Sequence, residues 1–234
     1  MNKSLIRIVS LLLGISMLTA AGLFAVDICS FRRSFYEREY SKLDTAAGMG
    51  MTHADLMEAT DTLLDYLKDR RDDLDLQTTV HGETVEMFDG REKAHMVDVK
   101  ALYRNAMRVT WSAAGLSVLL ILILAFGAKK HRKTALRWVL AGFGLFMIVL
   151  GAAAIYAAVD FNSFWTNFHR LFFDNDLWLL YDDERLIQMV PERFFSDLVA
   201  RIVAAFSVSA AFLTCVNLLL QKKYKRQQKK TASV

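Results

Sequence analysis

The chain reads as an all-α membrane protein: four transmembrane helices, an extracytoplasmic cap of helices and a small β-hairpin. Three observations predict this. Of 234 residues 54% are hydrophobic, and the mean hydropathy is +0.24. The apolar residues are gathered into long runs, whereas a soluble domain would scatter them. A spanning helix needs about 20 apolar residues at 1.5 Å each, and residues 5–26, 109–128, 135–159 and 198–220 meet that length. The charges, finally, are sorted between the connections. Segments 27–108 and 160–197 carry 17 and 8 acidic residues, which is all 25 in the protein. The N-terminal tip, the 129–137 connection and the C-terminal tail together hold 13 basic residues and no acid.

Basic residues in short loops stay on the cytoplasmic side. The expected protein is therefore a multi-pass cell-membrane protein with both termini cytoplasmic and two extracytoplasmic segments. The net charge of +4 is then a topology signature with some attraction to anionic lipid, not a nucleic-acid signature. Residues 1–234 read as one membrane domain with elaborations at 27–108 and 160–197. The charged residues inside the runs, Arg7, Arg137 and Arg201, lie near run ends where a long side chain reaches the interface.

Taken in order, the first run is 22 residues long, and Leu23 is large where signal cleavage wants a small residue, so a retained helix is expected. In 27–108, Gly48 and Gly50 break the chain. Thr52 caps a helix with Asp55 at its third position and Leu56, Leu63, Leu64 and Leu67 at helical spacing. Thr78-Thr79-Val80 and Thr84-Val85 flank His81-Gly82, a hairpin pattern. After Gly90 the pattern is helical and runs into the second span, which puts His95 about 20 Å along the axis from Val109. In 160–197, Phe161, Phe164, Trp165, Phe168 and Phe172 recur at helical spacing, giving an interfacial aromatic helix. Pro191 suits the first turn of the helix leading into the last span. Cys29 and Cys215 are too far apart for a disulfide and are expected to pack.

Five histidines are present. His131 lies among lysines, and His53 and His81 read as solvated surface residues. His95 heads a stripe with Val99, Leu102 and Ala106 and has Glu92 and Asp98 three residues to either side. A carboxylate at that spacing orients an imidazole or raises its pKa. His169 sits within the aromatic helix, just before Asp174-Asn175-Asp176; an ionisable group there needs a partner or a task. For both, catalysis stands beside a histidine hydrogen-bonded to structure. No paired-histidine metal helix, Gly-rich phosphate loop or nucleophile motif is present, so no metal or cofactor is expected. The spans hold no midplane charges of the kind a transporter needs. A non-catalytic membrane sensor or accessory protein, binding a partner through its acidic segment, is the alternative to an enzyme.

Two stretches carry a resemblance. Arg91-Glu92-Lys93-Ala94-His95-Met96-Val97-Asp98-Val99-Lys100 is one. The other is Phe168-His169-Arg170-Leu171-Phe172-Phe173-Asp174-Asn175-Asp176-Leu177-Trp178, followed by Leu186-Ile187-Gln188-Met189-Val190-Pro191-Glu192 and Phe194-Phe195. Together with length and topology they resemble the bacterial lipoprotein intramolecular transacylases, four-helix membrane enzymes. The resemblance implies a diacylated lipoprotein substrate and an acyl transfer from the sn-2 position of its S-diacylglyceryl-cysteine to the cysteine α-amine. The product is the N-acyl, S-monoacylglyceryl lyso-form. It also implies that the important histidines are His95 and His169, in an extracytoplasmic site. Glu92, Asp98, Asn175 and Asp176 are expected to bind or orient substrate, with Asn175 a candidate oxyanion donor.

Overall fold

The computed structural model describes residues 1–231, with side chains through Gln227. Its elements are α1 (Lys3–Ser30), α2 (Arg33–Leu43), α3 (Thr45–Gly48), α4 (His53–Leu67), β1 (Gln77–Val80), β2 (Glu83–Glu86), α5 (Gly90–Gly127), a 3-10 turn at Lys129–His131, α6 (Arg132–Val159), α7 (Phe161–Phe172), α8 (Arg185–Met189) and α9 (Glu192–Thr231). Four helices, α1, α5, α6 and α9, are long and apolar enough to cross a membrane. The helix that begins at Gly90 continues without a break to Gly127. Chain contacts divide these elements between two compact units.

The apolar unit comprises Met1–Val26, Met107–Ala158 and the chain from Ile202. Its interior joins all four long helices through Ile6, Leu13, Leu18, Leu124, Val139, Phe143 and Phe206. Its periphery is also apolar: Val118, Ile148, Val208 and Phe212 are exposed, which suits a lipid surround in place of water. Close approach of α1 and α6 rests on two glycines. A Cβ on Gly14 would lie 2.4 Å from the Val139 carbonyl oxygen, and one on Gly142 would lie 2.4 Å from that of Leu11. Small residues let helix backbones approach in this way where no hydrophobic force acts between helices. Hydroxyls here end on backbone carbonyls, as when the Ser16 hydroxyl of α1 donates to the Ala113 carbonyl of α5 at 2.7 Å. Cys215 does not pack as the sequence suggested. It is exposed, because its face of α9 points out of the unit, whereas Cys29 is buried.

The polar unit comprises Asp27–Ala106 and Val159–Arg201. Thr52 caps α4: its hydroxyl accepts the Asp55 N–H at 3.1 Å and donates to the Asp55 carboxylate at 2.7 Å. This satisfies an otherwise unpaired backbone N–H of the first turn. Leu56, Leu63 and Leu64 are buried from that helix. The hairpin pairs Val80 with Glu83, and His81 and Gly82 at its tip have φ of 51° and 84°. Two positive φ values make the turn whose twist matches a two-residue hairpin. The His81 N–H donates to the Gly50 carbonyl at 2.8 Å. Gly50 itself has φ +64°, and a Cβ there would meet the His81 ring at 2.3 Å. His53 and His81 are exposed. A second core gathers Phe35, Tyr36 and Tyr40 of α2 around the buried Phe194 ring at 5.1–6.0 Å between centroids. Pro191 stands one place earlier than expected: it precedes α9, and its carbonyl accepts the Phe195 N–H at 3.3 Å. A residue with no N–H loses nothing at that position.

Candidate active site

The site lies within the polar unit and is built from the start of α5, from α7 and from the chain that links α7 to α8. Helix α5 begins with a reciprocal cap. The Asp89 carboxylate accepts the Glu92 N–H at 2.8 Å, and the Glu92 carboxylate accepts the Asp89 N–H at 2.6 Å. The other Glu92 oxygen accepts the Leu186 N–H at 2.5 Å, in the first turn of α8. One carboxylate, 1% exposed, thus closes two helix starts. Burial raises its pKa, against the pull of the two backbone N–H groups. Arg91 ties down the connecting segment: its Nη2 donates to the carbonyls of Asp176 at 2.7 Å and Leu179 at 3.0 Å. Its guanidinium also lies 5.5 Å from the centre of the Tyr181 ring. Arg185 does the same from the other side, donating to the carbonyls of Met87 and Glu86.

This scaffold brings His95 and His169 together. Their ring centroids are 6.1 Å apart, and they are 7% and 6% exposed. His169 is held in an aromatic box. Trp178 stacks on it at 4.9 Å, Trp165 meets it edge-on at 4.8 Å, and Phe168 and Phe173 each lie at 5.6 Å. The helical spacing of Trp165, His169 and Phe173, four residues apart, puts them on one face of α7 and its exit. Phe173 also reaches His95, at 5.5 Å. The His169 Nδ1 lies 2.8 Å from the Trp165 carbonyl oxygen. A carbonyl only accepts, so Nδ1 carries the proton and Nε2 keeps its lone pair. His95 differs: its Nδ1 is buried with no hydrogen-bond partner among the described residues.

The electrostatics correct the expectation that flanking carboxylates raise the His95 pKa. Burial first and the neighbouring His169 second lower it to about 4, and Asp98 opposes with the smallest effect. His169 is also lowered by burial, against the Trp165 carbonyl, which favours the charged form. Both imidazoles are therefore neutral at pH 7. Glu92 does not orient His95, because both its oxygens are engaged by backbone N–H groups. Asp98 and Asn175 pair with each other, Asn175 Nδ2 donating to Asp98 at 2.9 Å. Asn175 Oδ1 accepts the Leu177 N–H at 3.0 Å, and Asp176 offers its backbone carbonyl to Arg91. These three shape the segment around the histidines. Sequence reading missed the roles of Arg91, Trp165, Phe173 and Trp178. The spacing of Asp89 and Glu92 and the fourfold steps from Trp165 to Phe173 were the signals available. Among the described residues, no group of three or more His, Cys, Asp and Glu side chains is arranged to hold a metal ion.

With this geometry in hand, the comparisons with known proteins become informative. The sequence profile described as lipoprotein intramolecular transacylase Lit matches residues 10–195. No curated protein matches the chain in sequence. Solved structures of the membrane integral lipoprotein intramolecular transacylase Lit from Bacillus cereus are similar in fold. One has a TM-score of 0.77 at 21% identity, covering 97% of this chain and 100% of that chain. A variant of that protein with a histidine replaced by arginine has a TM-score of 0.75 at 22% identity, covering 96% and 95%. A variant with a histidine replaced by alanine has a TM-score of 0.77 at 22% identity, covering 95% and 96%. The profile spans most of the sequence, both histidine segments included, and the reading as a non-catalytic sensor gives way to that of an enzyme. The chain belongs to the lipoprotein intramolecular transacylase family, membrane enzymes that transfer an acyl group.

Proposed function

We propose that His95 and His169 together carry the acyl transfer, within one diacylated lipoprotein, from the sn-2 ester of the S-diacylglyceryl-cysteine to the cysteine α-amine. The observation that carries this reading is the pair of buried, neutral imidazoles 6.1 Å apart in an aromatic enclosure. The amine nitrogen attacks the ester carbonyl, and the new C–N bond forms as that nitrogen becomes acidic. The His169 Nε2 lone pair takes the proton, with the Trp165 carbonyl steadying the imidazolium through Nδ1–H. His95, neutral and able to donate, delivers a proton to the glycerol oxygen as the C–O bond breaks. Passage of the proton from His169 to His95 restores both rings. Donor and acceptor belong to one molecule, so the enzyme's main contribution is to hold them in attack geometry, with no acyl-enzyme formed.

Trp165, Phe168 and Trp178 support a site that takes a lipid headgroup beside apolar chains, because such rings accept both environments. Exposed Leu171 and Phe172 on the same helix favour contact with membrane lipid. Segregation of all acidic residues into 27–108 and 160–197 supports cytoplasmic termini and an extracytoplasmic site. Asp98, Asn175 and Asp176 position the segment after α7 and thereby the substrate's headgroup. The test is expression in a cell lacking other lipoprotein N-acylation. Mass spectrometry of a lipoprotein N-terminus should find one acyl chain on nitrogen and one on glycerol. A lipoprotein that keeps both chains on glycerol refutes the proposal.

A further inference from the structure

The apolar unit contains a cavity of about 390 Å³ to which all four long helices contribute, Leu13 from α1, Leu124 from α5, Leu136 and Phe143 from α6, and Val216 from α9 among them. It shares no residue with the histidine site. Along α6 its lining runs from Arg132 to Phe143, about 16 Å at helical rise. The walls are apolar except at Asn217 and at the Arg132 end. There the Arg132 Nη1 donates to the Tyr224 hydroxyl at 2.8 Å, and its guanidinium lies 5.1 Å from the centre of the Tyr224 ring.

Among the described residues no carboxylate pairs with the charge at this end. The apolar unit contains no Asp or Glu at all, while Lys129, Lys130 and Lys133 stand beside Arg132 in sequence. A guanidinium carries five N–H donors in a planar fork suited to phosphate. Arg132 is also the first residue of α6, whose leading N–H groups add positive potential. A cationic, hydrogen-bonding end on a long apolar cavity matches an anionic amphiphile. We infer that this cavity binds an anionic phospholipid, its phosphate at Arg132 and Tyr224 and one acyl chain running toward Phe143. Surface attraction alone would explain a diffuse preference for anionic lipid. Apolar walls contributed by all four long helices argue for a defined site.

The test uses the full-length chain in detergent, equilibrated with equal amounts of dioleoyl phosphatidylglycerol and dioleoyl phosphatidylcholine, with retained lipid read by native mass spectrometry. Phosphatidylglycerol should be retained over phosphatidylcholine by about fivefold, the order expected for one basic contact. Arg132→Gln should remove that preference. Lys130→Gln, an exposed neighbour outside the cavity lining, should leave it unchanged. Leu136→Trp should fill the cavity and release both lipids; Tyr224→Phe, the gentler change, should reduce the preference. Soluble glycerol phosphate in millimolar excess should not displace the lipid. Equal retention of the two lipids overturns the inference, as does equal loss in Lys130→Gln and Arg132→Gln. Displacement by glycerol phosphate would mean a phosphate site and not a lipid site. Lipoprotein transacylation serves as the folding control for every variant.

Discussion

The two units differ in which polar groups they bury. In the apolar unit serine hydroxyls end on backbone carbonyls: Ser10, Ser117 and Ser207 each donate to a carbonyl four residues earlier, and Ser16 donates to the Ala113 carbonyl of α5. In the polar unit a carboxylate is buried: Glu92 closes its own helix start and that of α8, accepting the N–H of Leu186, 94 residues away. The first arrangement makes an inert scaffold. The second leaves chosen nitrogens available, since holding the frame with backbone N–H groups, Arg91 and Glu92 spares the two imidazoles from structural duty. His169 is committed at Nδ1, and the buried His95 Nδ1 has no hydrogen-bond partner among the described residues.

Replacing either spared imidazole should break this contrast most severely. His169→Ala and His95→Ala are each expected to lower lyso-lipoprotein formation by about 10²–10⁴, the usual range for a lost proton-transfer group. Helical content should be unchanged by circular dichroism. Full activity in both variants, measured by lipoprotein mass spectrometry, would refute the assignment. Next in size is the pH response. Both imidazole pKa values are lowered, so neither ring should charge near pH 6.5. The substrate amine, at about 7.7–8.0, then governs the rate, which should rise roughly fivefold from pH 7 to pH 8. A limb near pH 6.5 would contradict buried, neutral rings. Stability has its own sign. A histidine with a lowered folded pKa binds fewer protons folded than unfolded between the two values. For His95 that window runs from about 6.5 down to about 4, and stability should fall as pH falls through it. His95→Gln should flatten that slope in thermal unfolding.

Legibility in the sequence followed the distance between partners. The four spans, the Thr52 cap and the His81-Gly82 turn were legible because each is encoded within a few neighbouring residues. His95 and His169 were legible as candidates because ionisable groups stood in apolar surroundings. Their electrostatics were not. Spacing along α5 reveals Asp98 and Glu92, but it does not reveal the burial that outweighs them. The partners of Glu92 and Asn175 were not legible for the same reason, since Leu186 and Asp98 lie 94 and 77 residues away.

Two further changes sharpen the contrast between scaffold and site. Gly142→Leu drives a side chain into the α1 backbone, where no flexible atom can yield. A loss of about 1–3 kcal/mol is expected from overpacking, seen as a lower melting temperature in detergent. Glu92→Gln turns an amide toward one of two N–H groups and should cost about 1–2 kcal/mol, as for a lost cap. Its transacylation should fall far less than in His169→Ala; a loss as deep as that variant's would place Glu92 among the reacting groups. Gly50→Ala is the mildest change, at about 1 kcal/mol for positive φ. His81→Ala in the same chain should relieve the part due to the ring contact, by thermal unfolding of the double variant.

The indoles against His169 have a use beyond enclosure. Trp165 and Trp178 are two of four tryptophans in the protein and touch the same imidazole. A ring that gains positive charge beside an indole face alters its light emission, because the cation interacts with the π cloud. The protein thus carries its own optical reporter: an acid titration of its intrinsic fluorescence, with no substrate present, should report when His169 charges. A His169→Gln chain should titrate without that change.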